Sequence, residues 1–336
     1  MRADRLPRRV VLASLLAGCG VPIRQARLPA GPALAPPPPS AEEARVAAAG
    51  WSCPEWVVPL FPGVPQACGA RPGEGVALAA VAGFDIAAGV ALAVRYPGAL
   101  AAGLDGGGAG ALVPWIGLQD VWGYSLARHA MDGQLAAGLP YVPQDRLGEL
   151  VFAPFNPRVL VRPAVVVPTL ALAAAGVAYG VALGDPTGFS AARPNVFGAS
   201  PPPGVGWTVY GASAVVLFEH VAIAEEAIFR GLLQSGLVRG TRSEVGGWAL
   251  GTVVFGASHS LNALLLPPEE RAQYLVYGVP FITAVGGVIG GVYAVEGYSL
   301  APPVAMHFWY DVLVSGAAAV AVPGDTLFSI RTGGAF

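Results

Sequence analysis

Lysine is absent from this chain: all 19 basic residues among its 336 are arginine. Charge of either sign is scarce, at 12% of residues, where a soluble domain carries about 25%. That deficit excludes an ordinary water-soluble enzyme. A net charge of -2 with no basic patch gives nucleic acid nothing to bind. Cysteine is limited to Cys19, Cys53 and Cys68, and no histidine or third cysteine stands near the last two to make a metal site. No His-Glu-x-x-His, Gly-x-Ser-Gly or Gly-x-Gly-Asp occurs, which removes the common zinc, serine and aspartyl signatures of intramembrane proteolysis. The missing lysine, with 46 Gly and 32 Pro, reads as compositional bias rather than as a site.

What is present is apolar length: 54% of residues are hydrophobic. Long apolar runs separated by Gly, Pro and acidic punctuation imply an all-α fold, a polytopic bundle of about 6–7 transmembrane helices around a polar cavity. Spans are expected over 76–94, 164–183, 209–233, 248–266, 275–295 and 303–322. Residues 111–127 carry Pro114, Gln119, Asp120 and Trp122 and fit either a span or an interfacial helix.

The amino terminus reads as a secretory signal, with arginines before a short apolar run. Leu16-Ala17-Gly18-Cys19 resembles a bacterial lipobox, so residues 1–19 are expected to be a lipoprotein-type signal peptide with Cys19 as the lipidation site. The alternative is an uncleaved anchor that happens to end in cysteine. Residues 20–72 are Pro-rich and read as an extracytoplasmic linker, in which Cys53 and Cys68 are expected to pair once outside the cell. Two free buried thiols are the other reading. An N-terminal membrane region (73–206), a catalytic membrane core (207–323) and a tail (324–336) follow. If 111–127 does not cross, Arg95, Arg128, Arg146, Arg158, Arg162, Arg239 and Arg242 fall inside and Arg193, Arg271 and Arg331 outside. The positive-inside rule then agrees with a lipidated amino terminus outside a bacterial inner membrane. A crossing there would invert everything downstream.

The chemistry is concentrated where apolar helices carry ionisable groups. Each such group costs roughly 2.5–3.5 kcal/mol on insertion scales and persists where it pairs, lines a cavity or reacts. Glu219, Glu226, Arg230 and Gln234 share one helical stripe, and Glu226 with Arg230 at i, i+4 can pair. Glu225 is rotated about 100° from Glu226 and is the carboxylate left free to act as a base. His220 lies on the same helix. A second helix carries Phe255 and His259, with Asn262 a turn on; a third carries His307 and Asp311 on one face. Taken singly, these are as easily structural pairs. As a set on three helices they indicate a site, either hydrolytic or ion-coupling.

Glu225-Glu226-x-x-x-Arg230, Phe255-x-x-x-His259 and His307-x-x-x-Asp311, in that order, resemble the CAAX-protease and bacteriocin-processing (CPBP, or Abi) family of intramembrane proteases. The resemblance covers about residues 209–322. It implies that Glu225 is the catalytic carboxylate, that His259 helps it activate water, that His307 and Asp311 bind the oxyanion, and that Glu226, Arg230 and Phe255 support the site. It leaves open whether Glu225, His259, His307 and Asp311 also hold Zn²⁺, which suits their residue types. The implied partner is a protein substrate with a membrane-associated C-terminal segment, within the lipid bilayer. A lipidated amino terminus points to an envelope role, as in myxosortase-like relatives. An ion-coupled transporter and a non-catalytic scaffold for partner transmembrane segments are the competing functions. Against a transporter, the two halves show no repeat.

Overall fold

The computed structural model describes residues 46, 54–95, 109–183, 202–266 and 268–321. Cys19 and Cys53, the signal sequence, most of the expected linker and the tail lie outside these residues. Cys68 is disulfide-bonded. Among the described residues the fold is all-α, with helices and turns and no strand.

Among the described residues seven long helices make up the body. They are α1 (Pro72–Arg95), α2 (Ala109–Ala136), α3 (Pro163–Leu183), α4 (Pro203–Glu225, continued by a π-helical stretch Glu226–Gln234 and Ser235–Thr241), α5 (Glu244–His259), α6 (Pro268–Val295, with a π-helical turn Tyr274–Gly278) and α7 (Ala301–Ala321). Three are long and apolar enough to cross a membrane: Pro72–Arg95, Pro163–Ala182 and Pro268–Val295. Their window hydropathies are 2.1, 1.9 and 1.8.

The residues expected to form a loose linker are partly folded. Glu55–Val57 and Val64–Cys68 are short helices, and the second is fastened to α2. Gly63 N–H donates to Ser125 Oγ at 3.0 Å, and Gln66 Nε2 donates to the Ser125 carbonyl at 2.7 Å. Gly63 takes φ 86°, and a Cβ there would stand 2.1 Å from the Gly75 carbonyl oxygen. Only glycine lets this turn press so closely on α1.

α2 is one helix of 28 residues, antiparallel to α1. Arg71 pairs with Asp132, a Cβ on Gly117 would meet the Asp85 carboxylate, and one on Gly89 would meet Trp115. As the position on α1 rises, its partner on α2 falls. A helix this long reaches about 42 Å at 1.5 Å per residue, so the whole of 111–127 runs the length of the bundle. This is the arrangement expected if 111–127 crosses alongside α1, although α2 is not among the three helices that are long and apolar enough to span. Arg128 returns to the end where Arg71 lies, opposite Arg95. Pro114 is accommodated within the first turns of α2.

One end of the bundle is tied together by polar contacts. Asp132 receives Arg71 and, at 2.9 Å, Arg128 Nε. Arg128 also donates to the carbonyl of Asp145 at 3.1 Å. The Asp145 carboxylate caps α7, accepting from Ser299 Oγ (2.6 Å) and from the backbone N–H of Leu300 (2.8 Å). Arg162, before α3, pairs with Glu296, after α6. Arg239 donates to the Pro140 carbonyl at 2.9 Å. The arginine-rich end is therefore the one at which the chain enters α1. If α2 crosses, the positive-inside rule assigns this end to the cytoplasm.

Glycine sets the helix spacing on the other side. On α5 and α6, a Cβ at Gly256 would lie 1.8 Å from Thr283 Oγ1 and one at Gly286 2.2 Å from Phe255 Cδ1. Small residues let membrane helices approach this closely.

Candidate active site

α4 carries the acidic pair where its geometry changes. Glu225 ends the α-helical part and Glu226 begins the π-helical stretch. A π-helical turn opens the i→i+4 ladder and is frequent at functional sites. Here the freed Arg230 carbonyl receives both the backbone N–H and the hydroxyl of Ser235.

Glu226 is wholly buried between Arg230 and His307. Its Oε1 lies 2.8 Å from His307 Nδ1. Its Oε2 lies 3.0 Å from Arg230 Nε, a close pairing of charge without the alignment of a hydrogen bond. Arg230 in turn donates Nη2 to the Gly286 carbonyl at 3.1 Å and lies over the Phe255 ring at 4.5 Å. One turn on, Gln234 donates to the Gly290 carbonyl at 2.9 Å. Of the expected Glu219–Glu226–Arg230–Gln234 stripe, Arg230 and Gln234 are thus directed onto α6.

Glu225 points elsewhere and is 26% exposed at its side chain. Its Oε2 lies 3.8 Å from His259 Nε2 and 4.0 Å from His307 Nε2. Both distances exceed a hydrogen bond, so three polar atoms converge without satisfying one another. The far nitrogen of each imidazole is fixed. His259 Nδ1 sits 2.9 Å from the Phe255 carbonyl. A carbonyl can only accept, so that nitrogen carries the proton and Nε2 of the neutral ring offers a lone pair to the site. His307 is held through Nδ1 by Glu226, with Asp311 Oδ2 3.4 Å from its Nε2.

Aromatic groups back the cluster. The Phe255 ring lies 4.4 Å from that of His259 and meets Phe229 edge-on at 5.0 Å. Tyr274 donates its hydroxyl to the His259 carbonyl at 3.0 Å and is hydrogen-bonded to Asn262. Tyr274 was not evident from the sequence, where it reads as an ordinary interfacial aromatic.

The seven residues singled out from the motifs, Glu225, Glu226, Arg230, Phe255, His259, His307 and Asp311, are joined by these contacts. Glu219 and His220 are not: no hydrogen bond or ion pair links them to the cluster, and Glu219 Oε1 is buried without a partner. Among the described residues no group of three His, Cys, Asp or Glu is disposed to hold a metal ion.

Neither the curated proteins nor the solved structures contain a match to this chain. Residues 207–313 match the model of the family described as type II CAAX prenyl endopeptidase Rce1-like. That range takes in α4, α5, α6 and the part of α7 that bears His307 and Asp311, so the stretch that builds the site is similar to this family of membrane peptidases.

Proposed function

We propose that the chain is an intramembrane endopeptidase that hydrolyses a peptide bond in the C-terminal or membrane-anchor segment of a protein substrate. The observation that carries this reading is the convergence of Glu225 Oε2 with two imidazole nitrogens at 3.8 and 4.0 Å. Glu225 and His259 present acceptors to the same point. A water there donates one hydrogen to each and turns its own lone pair outward, which is how a nucleophile is held.

As the water attacks the carbonyl carbon, its proton passes to the Glu225–His259 pair. The oxygen of the scissile carbonyl takes up negative charge beside His307, whose ring is held by Glu226 and by Asp311. Fixed donors aimed at that oxygen lower the barrier. Collapse of the tetrahedral intermediate breaks the C–N bond, and the proton returns to the leaving amine. Arg230 balances the Glu226 charge and touches no reacting atom. The family name points to prenylated CaaX sequences as one substrate class. A lipidated Cys19 and the Cys53–Cys68 pair would place the enzyme in a bacterial envelope, acting on C-terminal sorting anchors.

The test is comparative proteomics of membrane-anchor peptides in deletion cells complemented with wild type or Glu225→Gln at equal expression. A defined set of proteins keeping uncut anchors only with the variant supports the reading. Identical profiles remove Glu225 from the function and favour a transporter or scaffold.

A further inference from the structure

The cluster described so far is built by α4, α5 and α7, but α2 also reaches it. α2 packs along α4 and its π-helical stretch. The approach is close at Gly123, where a Cβ would meet Ile228 Cδ1 at 3.1 Å. One turn earlier on α2 stands Asp120. Its carboxylate interacts electrostatically with Glu225, with His307 and, from α1, with Asp85.

Neither aspartate is locally satisfied. Asp120 Oδ2 and Asp85 Oδ2 are buried atoms without a hydrogen-bond partner. Asp85 lies against the backbone of α2, where a Cβ on Gly117 would be 3.2 Å from its Oδ2, and it faces no cation among the described residues. Arg71 and Arg128, which lie on the same pair of helices, are engaged with Asp132 instead. An unpartnered carboxylate beside two others lowers stability, so this position is explained by something that binds there rather than by packing.

We propose that Asp120 is a further residue of the active site, whose unpartnered oxygen accepts a hydrogen bond from the substrate backbone N–H beside the bond that Glu225 and the histidines attack. The inference rests on the protease reading. Asp120 shares its surroundings with Glu225 and His307, the carboxylate and the oxyanion-binding imidazole. A peptide lying between α2 and the cluster would present its carbonyl to His307 and a neighbouring N–H to Asp120. That contact orients an extended segment and gives a reason for α1 and α2, which lie outside the family-matched residues, to be part of the enzyme.

The experiment compares Asp120→Asn, Asp120→Leu and Glu225→Gln in the deletion cells, scoring uncut anchor peptides. Thermal midpoints of the purified proteins in detergent are read by tryptophan fluorescence. The expected result is cleavage reduced at least tenfold in Asp120→Leu and less in Asp120→Asn, which keeps an acceptor oxygen. Both should melt at or above the wild-type temperature, since each removes an unpartnered buried carboxylate. Cleavage within twofold of wild type in Asp120→Leu, with Glu225→Gln inactive, overturns the role of Asp120 and leaves the protease reading intact. Loss of cleavage together with a lowered midpoint in both aspartate variants makes Asp120 structural and also overturns it. Activity in Glu225→Gln overturns the protease reading itself.

Discussion

Glu226→Gln tests how the site supports its buried charges. The substitution preserves volume and leaves an oxygen able to accept from His307 Nδ1, now 2.8 Å away. What it removes is the negative charge 3.0 Å from Arg230 Nε. Glu226 and Arg230 have side-chain exposures of 0 and 1%, so water cannot replace the lost partner. Breaking a buried pair from one side costs about 3–5 kcal/mol. Arg230 keeps the Gly286 carbonyl and the Phe255 ring, which places the expected loss near the lower limit, about 3 kcal/mol. Removing both charges with Glu226→Gln and Arg230→Met should cost less than the single change, because no isolated cation remains. The measurement is reversible unfolding in mixed micelles with a denaturing detergent, on all three variants. A Glu226→Gln variant within about 0.5 kcal/mol of wild type, the scatter of neutral surface changes, would refute the account. So would a double variant less stable than the single one.

Other variants probe packing and backbone. Gly286→Ala puts a methyl 2.2 Å from Phe255 Cδ1, and overpacking costs about 1–3 kcal/mol. Because Phe255 backs both Arg230 and His259, cleavage should fall alongside the thermal midpoint; a stable variant with full activity would show that the ring does not position His259. Arg242 ends the Ser235–Thr241 helix at φ 55°, a left-handed conformation that costs a side-chain-bearing residue about 1 kcal/mol. Arg242→Gly should therefore raise stability by up to that amount without changing cleavage, and an unchanged or lower midpoint would count against it.

The motif helices were legible because their cost is legible. Glu225, Glu226, Arg230, His259, His307 and Asp311 stand out in apolar surroundings, and the i, i+4 spacing of Glu226 and Arg230 already implies their pairing. Two features were hidden. The π-helical stretch Glu226–Gln234 leaves the apolar pattern nearly intact, since one inserted residue shifts the register without changing composition. The course of α2 was hidden by its own polar content. Asp120 and Gln119 lower the apparent apolarity of 111–127, and only the pairing of Arg71 with Asp132, 61 positions apart, reveals that the helix returns along α1. The charge split turns on that one helix. A topology argument from arginines is only as sound as the crossings counted between them, and buried Arg128 was counted as if it stood in water.

The glycines of α6 and the widened turn of α4 act together. A side chain as long as that of Arg230 can reach the Gly286 carbonyl, and Gln234 that of Gly290, because no Cβ on α6 screens those backbone groups. The π-helical stretch sets the two donors toward α6 while Glu226 turns toward α7 and Glu225 toward α5. Polar atoms that support the site are thereby consumed within the protein: Arg230 by Glu226 and a carbonyl, Gln234 by a carbonyl, His307 Nδ1 by Glu226, His259 Nδ1 by Phe255. The atoms left over are Glu225 Oε2 and His259 Nε2 in the cluster and, on α2, the buried Asp120 Oδ2. Buried polar groups are ordinarily paired. On the protease reading, a substrate would supply the partners that these atoms lack. On this reasoning a bound peptide analogue should stabilise the wild type more than Asp120→Leu, and equal stabilisation would separate Asp120 from the binding surface.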